Sequence, residues 1–98
     1  MKAEQLLRRR IVMSETEFAE LVLWRLPEPV PPCRHSFKYR LAFITNGICV
    51  IRYDNERDKG DHRHIGSVES PYEFSTHDRL IADFREDIER WRHEHRDA

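Results

Sequence analysis

Asn46-Gly47, set between two alternating runs, constrains this chain more than any other feature. Both residues tolerate the positive φ that a type I′ turn demands, so the pair joins two strands in a tight hairpin. Ahead of it, Phe37, Tyr39, Leu41 and Phe43 alternate with Lys38, Arg40, Ala42 and Ile44; behind it, the partner strand runs Ile48 to Asp54. A two-residue turn sets Thr45 opposite Ile48. Continued without interruption, that register pairs Phe43 with Val50, Leu41 with Arg52, Arg40 with Tyr53 and Tyr39 with Asp54. Lys38, Arg40 and Tyr53 then share one face, because residues paired across strands point to the same side.

The flanking segments extend this picture. Leu6–Met13 and Phe18–Leu26 read as two strands around the polar turn Ser14-Glu15-Thr16, the second apolar on both sides and so a central strand. A helix over Glu17–Arg25 is the competing reading, since Glu, Ala and Leu also favour helices. Pro27, Pro29, Pro31 and Pro32 remove backbone donors and make an extended connection. His62–Ile65 reads as a short further strand and Gly66–Pro71 as a connection. Ser75 has the character of an N-cap, after which Leu80, Ile81, Phe84, Ile88 and Trp91 form one apolar stripe at helical spacing. Asp83 and Asp87 read as part of the solvated side of that helix, and His93 and His95 as incidental residues of a charged tail. The expected fold is α+β: an antiparallel, hairpin-rich sheet of four to five strands with one C-terminal amphipathic helix packed on it. At 98 residues the chain has room for one core, a single domain over 1–98.

Charge and cysteine usage narrow the setting. The 17 Lys and Arg nearly balance 18 Asp and Glu, yet they are unevenly placed. Arg8, Arg9 and Arg10 cluster near the start, whereas acidic residues crowd the C-terminal helix. Local potential governs polyanion binding more than net charge does, so a basic sheet region remains a candidate contact for nucleic acid or for an acidic protein segment. No apolar run approaches the ~18 residues of a membrane span. The start, MKAEQLLRRR, lacks the basic-then-apolar order of a signal peptide. The expected location is the cytoplasm, with Cys33 and Cys49 as reduced thiols.

The densest chemistry lies in YDNERDKGDHRHIG, Tyr53 to Gly66. In a strand, His62 and His64 point to the same side ~6–7 Å apart, a span that straddles one phosphodiester. One histidine can take a proton while the other gives one, since an unperturbed imidazole titrates near neutral pH. Asp54 and Asp61 are placed to orient an imidazole, and Lys59 to stabilise developing phosphoryl charge. Lys38, Arg40, Tyr53, Arg57 and Arg63 are the candidate substrate contacts. The same H-x-H spacing also suits two ligands of a divalent metal, with Asp61 or Asp54 as a third. Arg57, Lys59 and Arg63 would repel a cation there, so no metal and no other cofactor is expected. A third possibility is a polar loop that merely caps the sheet, with Asn55, Gly60 and Asp61 making turns.

The runs AEQLLRRRIV, FAELVLWRLPEPVP, RHSFKYRLAF, YDNERDKGDHRHIG and YEF ahead of LIADF resemble, in that order, the TumE family of small toxin components from prokaryotic toxin–antitoxin systems. The YDN…KGDHRH core is the most specific part, and the resemblance covers nearly the whole chain. It implies a cytoplasmic toxin neutralised by a cognate antitoxin; the residue roles come from the chemistry of the motif. Three functions compete. The first is a metal-independent ribonuclease in which the RNA 2′-hydroxyl attacks its own phosphodiester, with His62 and His64 as base and acid. The second is a non-enzymatic toxin that binds nucleic acid or protein, and the third a metal-dependent nuclease using the same pair as ligands. Two same-facing histidines exceed what phosphate binding alone requires, which favours the first.

Overall fold

The computed structural model describes residues 2–95. Its strands follow one another as a meander, β1 (Glu4–Val12), β2 (Glu17–Arg25), β3 (Phe37–Thr45), β4 (Ile48–Glu56), β5 (Gly60–Ile65) and β6 (Val68–Pro71), before helix α1 (His77–Glu94). Each strand pairs antiparallel with the next, so sequence order is also spatial order. The α+β class and the C-terminal helix agree with the expectation, but the sheet has six strands rather than four to five. The additional strand is β6, hidden in Gly66–Pro71. Gly66 supplies a positive φ for a tight turn, and Pro71 lies at the end of an edge strand, where a missing N–H has no ladder to break. Glu17–Arg25 is a strand, as its apolar character on both sides suggested; the competing helix does not form.

Asn46 and Gly47 have φ of 52° and 77°, the pair of left-handed residues that the hairpin requires. Thr45 pairs with Ile48 as expected, but a β-bulge then places two residues, Cys49 and Val50, before Phe43 meets Ile51. A one-residue slip sends every later side chain to the opposite face. Tyr53 therefore pairs with Leu41, and Arg40 with Asp54. Lys38 and Arg40 do share a face, but Tyr53 is not on it: its ring is fully buried on the helix side of the sheet.

Among the described residues, α1 covers one face of the sheet. Leu80, Phe84 and Ile88 of α1 pack onto Ala19, Leu21, Leu23, Tyr39, Leu41, Phe43, Ile51 and Tyr53, the inward positions of β2, β3 and β4. The helix is capped by Thr76 rather than Ser75: the Thr76 hydroxyl accepts from the Arg79 amide at 3.1 Å, satisfying one of the unpaired donors of the first turn. Asp87 is the other departure, 6% exposed instead of solvated. Its carboxylate accepts from the Tyr53 hydroxyl and lies 3.5 Å from Arg63 and 3.2 Å from Arg90. Burial, opposed by Arg63 and reinforced by donation to Asp87, pushes the Tyr53 hydroxyl well above its ordinary range, so the tyrosine stays a donor.

The proline-rich connection folds back on the β4–β5 turn. Asp58 N–H donates to the Pro31 carbonyl at 3.1 Å, and a Cβ built on Gly60 would sit 3.2 Å from Pro32 Cγ. Gly60 also has a φ of +76°. Gly60→Ala is thus expected to lower stability by about 1–2 kcal/mol, the ordinary cost of a left-handed L-residue. Thermal unfolding followed by circular dichroism measures this; an unchanged midpoint would mean the turn relaxes freely.

Candidate functional site

With α1 on one side, the other side of the sheet is open, and cross-strand pairing arranges its residues in rows. One row runs Arg8, Val22, Arg40, Asp54, His62 from β1 to β5. Beside it runs Arg10, Glu20, Ala42, Arg52, His64, Glu69. At ~4.8 Å per strand the first row spans ~19 Å. Half-buried Trp24 lies beyond it, opposite Lys38 on β3. Three of the four cations in the rows, Arg8, Arg10 and Arg40, lie on β1 and β3, and the two histidines on β5.

The histidine end is built by β4 and β5 together. Asp54 faces His62 and Arg52 faces His64. His62 Nε2 is 2.6 Å from Asp54 Oδ1, and His62 Nδ1 is 3.1 Å from the Gly60 carbonyl. Both ring nitrogens thus face oxygen atoms, the Asp54 carboxylate on one side and the Gly60 carbonyl on the other. His64 is held differently, its Nε2 2.9 Å from an Arg52 terminal nitrogen. A guanidinium only donates, so His64 Nε2 accepts there, and the same nitrogen lies 3.6 Å from Glu69 Oε2. The rings meet edge to face at 5.2 Å. The His62 side chain is 4% exposed and that of His64 24%.

Arg52 Nε also reaches Asp54 Oδ2 at 3.3 Å, and Lys59 pairs with Glu69 at 2.9 Å on the neighbouring edge. Donation from Lys59 holds the Glu69 carboxyl below its usual range and the lysine above its own. Lys59, Asp61, His62, Glu69, Ser70 and Pro71 line a shallow cavity at this edge of the sheet. Arg52 Nε, Asp54 Oδ1 and His62 Nε2 are buried and close enough for ion pairing, yet out of line for hydrogen bonds.

Of the residues expected at the site, Asp54, His62 and His64 come together on the open face, with Lys59 at its edge and Arg40 next to Asp54 in the row. Lys38 shares that face further along β3, but its amine turns to donate to the Asn55 carbonyl. Arg57 lies in the exposed β4–β5 turn. Tyr53, Asp61 and Arg63 point to the helix side: Arg63 pairs across with Tyr53, and Asp61 with Asn55. Arg52, absent from the expected set, is the missed member. Its signal lay in the sequence, two positions before Asp54, but the uninterrupted register put it opposite Leu41 rather than Ala42.

Asp61 instead anchors a second cluster. Its carboxylate accepts from the Tyr39 hydroxyl at 2.6 Å, His35 Nε2 at 2.8 Å and the Cys33 thiol at 3.5 Å. Burial first, then the Asp61 charge, pushes the Cys33 thiol up, keeping it a donor. His35 Nδ1 accepts from the Phe37 amide at 3.1 Å, which leaves the ring proton on Nε2, aimed at Asp61. Cys33, His35 and Asp61 have the atom types and proximity of a metal set. Both nitrogens of the ring are already committed, however, and the cluster's evident work is to tie the proline loop to β5. The Asp54, His62, His64 group is similarly close. There the Arg52 guanidinium touches both Asp54 and His64, placing a fixed positive charge among the would-be ligands.

The fold and this geometry define a small sheet-and-helix protein with one open face, basic at one end and carrying an ion-paired histidine couple at the other. Residues 2–92 match the family described as Toxin TumE, and the chain belongs to that family. It is therefore a toxin component, and the family implies an antitoxin partner. No curated protein and no solved structure shows significant similarity to it. Among the described residues no helix is long and apolar enough to cross a membrane.

Proposed function

We propose that this toxin acts in the cytoplasm as a metal-independent ribonuclease whose acid and base are His62 and His64. The observation that carries the reading is the unlike setting of two adjacent rings: buried His62 lies between the Asp54 carboxylate and the Gly60 carbonyl, while the more exposed His64 lies against the Arg52 guanidinium with Glu69 nearby. Intramolecular transesterification of RNA needs one ring charged and one neutral, and two adjacent rings in unlike settings can divide those roles. His64, the more exposed, takes the proton of the 2′-hydroxyl on Nε2 as the Arg52 guanidinium turns from that nitrogen to the phosphate. His62, reached through the cavity beside Lys59, returns a proton to the departing 5′-oxygen. Asp54 orients His62 and balances its charge, while Arg52 and Lys59 face the phosphoryl oxygens. Because RNA carries its own nucleophile, the protein need only position the linkage and neutralise it.

The rows of arginine supply that positioning. Arg8, Arg10 and Arg40 contact phosphates and Trp24 offers a face for a base to stack on, as single-stranded nucleic acid requires. Purified protein is expected to cut RNA in excess chelator, to spare DNA, and to show a bell-shaped pH dependence, since one ring must be charged and the other neutral. Loss of cutting on chelation, with recovery on adding a divalent ion, would transfer the same residues to a metal-ligand role. For the arginine row, Arg8→Ala and Arg40→Ala are each expected to weaken RNA binding uniformly across sequences. Each should also reduce the slope of log affinity against log salt by about 0.7, the counterion share of one phosphate contact on a single strand. An unchanged salt slope measured by fluorescence anisotropy would take these residues out of the RNA path.

A second reading has its own observation. The depth of His62 favours a toxin that holds RNA on this face and blocks its use without cutting it. That reading predicts tight binding of RNA that stays intact under every metal and pH condition.

A further inference from the structure

We infer that the free edge of β1 is where the antitoxin docks, by adding an extended strand of alternating apolar and acidic residues to the sheet. The inference builds on the antitoxin partner that the family implies and is independent of whether RNA is cut. The two edges of the sheet differ in how they are protected. β6 is four residues long and ends in Pro71, both ordinary ways of blunting an edge. β1 is nine residues long, contains no proline and leaves Ile11 and Val12 36% and 70% exposed. A long edge with unpaired backbone groups is a template for another strand.

A second observation falls at the same place. Between β1, β2 and the flank of α1 opens an apolar groove lined by Ile11, Met13, Ile81, Phe84 and Ile88. On its rim Arg85 and Arg92 outnumber Glu89. Strand residues alternate between faces, so a segment paired to β1 would send every second side chain toward this groove. The intervening side chains would lie on the open face beside Arg8 and Arg10. Arg8 and Arg9 have no ion pair among the described residues, and Arg85 has none either. The match is therefore apolar residues into the groove, with carboxylates toward Arg8 on the open face and toward Arg9 and Arg85 on the helix side.

The same arginines argue against a second copy of this chain as the occupant. An antiparallel copy centred on the run would set Arg8 against Arg10 and Arg9 against Arg9, and like charges directly opposite destabilise a pair. An acidic strand turns that repulsion into attraction. It would also cover Arg8 and Arg10, the far end of the rows that lead to His62 and His64, so docking and silencing become one event.

The test uses the full chain with the purified product of the neighbouring antitoxin gene. Hydrogen exchange should slow across Glu4–Val12 on complex formation. Ile11→Glu and Arg85→Glu should each weaken the complex at least tenfold while leaving RNA affinity unchanged, with circular dichroism confirming that both variants fold. Unaltered exchange in β1 with protection elsewhere, antitoxin affinity unchanged in both variants, or a dimer of the toxin alone paired through β1 in sedimentation would each overturn the inference. Because these readouts are binding and exchange, they stand apart from any failure to detect RNA cleavage.

Discussion

His64→Ala is expected to lower RNA cleavage by about 10²–10⁴-fold, the usual worth of a positioned acid or base. RNA binding should change little, since a proton-transfer group acts in the transition state rather than in the bound ground state. His62→Ala should cost cleavage similarly, but with a second consequence. Asp54 is 8% exposed, and removing its imidazole partner leaves the carboxylate with Arg52 alone. That variant is expected to lose stability as well, which His64→Ala, at a more exposed ring, should not. Single-turnover rates and thermal midpoints, taken together on both variants, separate the two effects. Wild-type rates in His64→Ala would remove it as the base.

The second large effect lies on the covered face. Phe84 is 2% exposed and meets the Tyr53 ring edge to face at 5.7 Å, at the centre of the contact between α1 and the sheet. Phe84→Ala is expected to destabilise by about 3–5 kcal/mol through lost burial and the cavity left behind. For a domain of this size each kcal/mol moves the midpoint by about 4–8 °C, so the variant should be largely unfolded at temperatures the native protein survives. A meander sheet has no other cover for its apolar face. A denaturation midpoint close to wild type would mean the helix is dispensable to the core, contrary to the packing described.

Much of this architecture was legible because it is local. The Asn46-Gly47 turn, the alternation of Phe37–Ile44 and the stripe of Leu80, Phe84 and Ile88 each follow from neighbouring residues and a fixed period. What escaped was non-local or depended on one inserted residue. The bulge at Cys49-Val50 leaves no mark in the alternation of β3. It nevertheless decided that Tyr53 is core and that Arg52, Asp54, His62 and His64 share the open face. Asp87 looked solvated because its helical neighbours are charged, whereas its partners Tyr53 and Arg63 come from β4 and β5. The histidine couple itself was readable from H-x-H in a strand. Its asymmetry was not, because Asp54, the Gly60 carbonyl and Arg52 reach it only through the pairing of β4 with β5.

The role of His62 and His64 in RNA cleavage is tested most directly with a short oligoribonucleotide cut at a single linkage, and the same molecule carrying one 2′-deoxy sugar immediately 5′ of that linkage. Incubated in excess chelator, the all-ribose strand should yield a 5′ fragment ending in a 2′,3′-cyclic phosphate or its 3′-phosphate product. The singly deoxygenated strand should bind equally and remain whole, because the attacking hydroxyl is gone. Cleavage of both strands, or a 5′ fragment ending in a free 3′-hydroxyl, would contradict the acid–base assignment of His62 and His64.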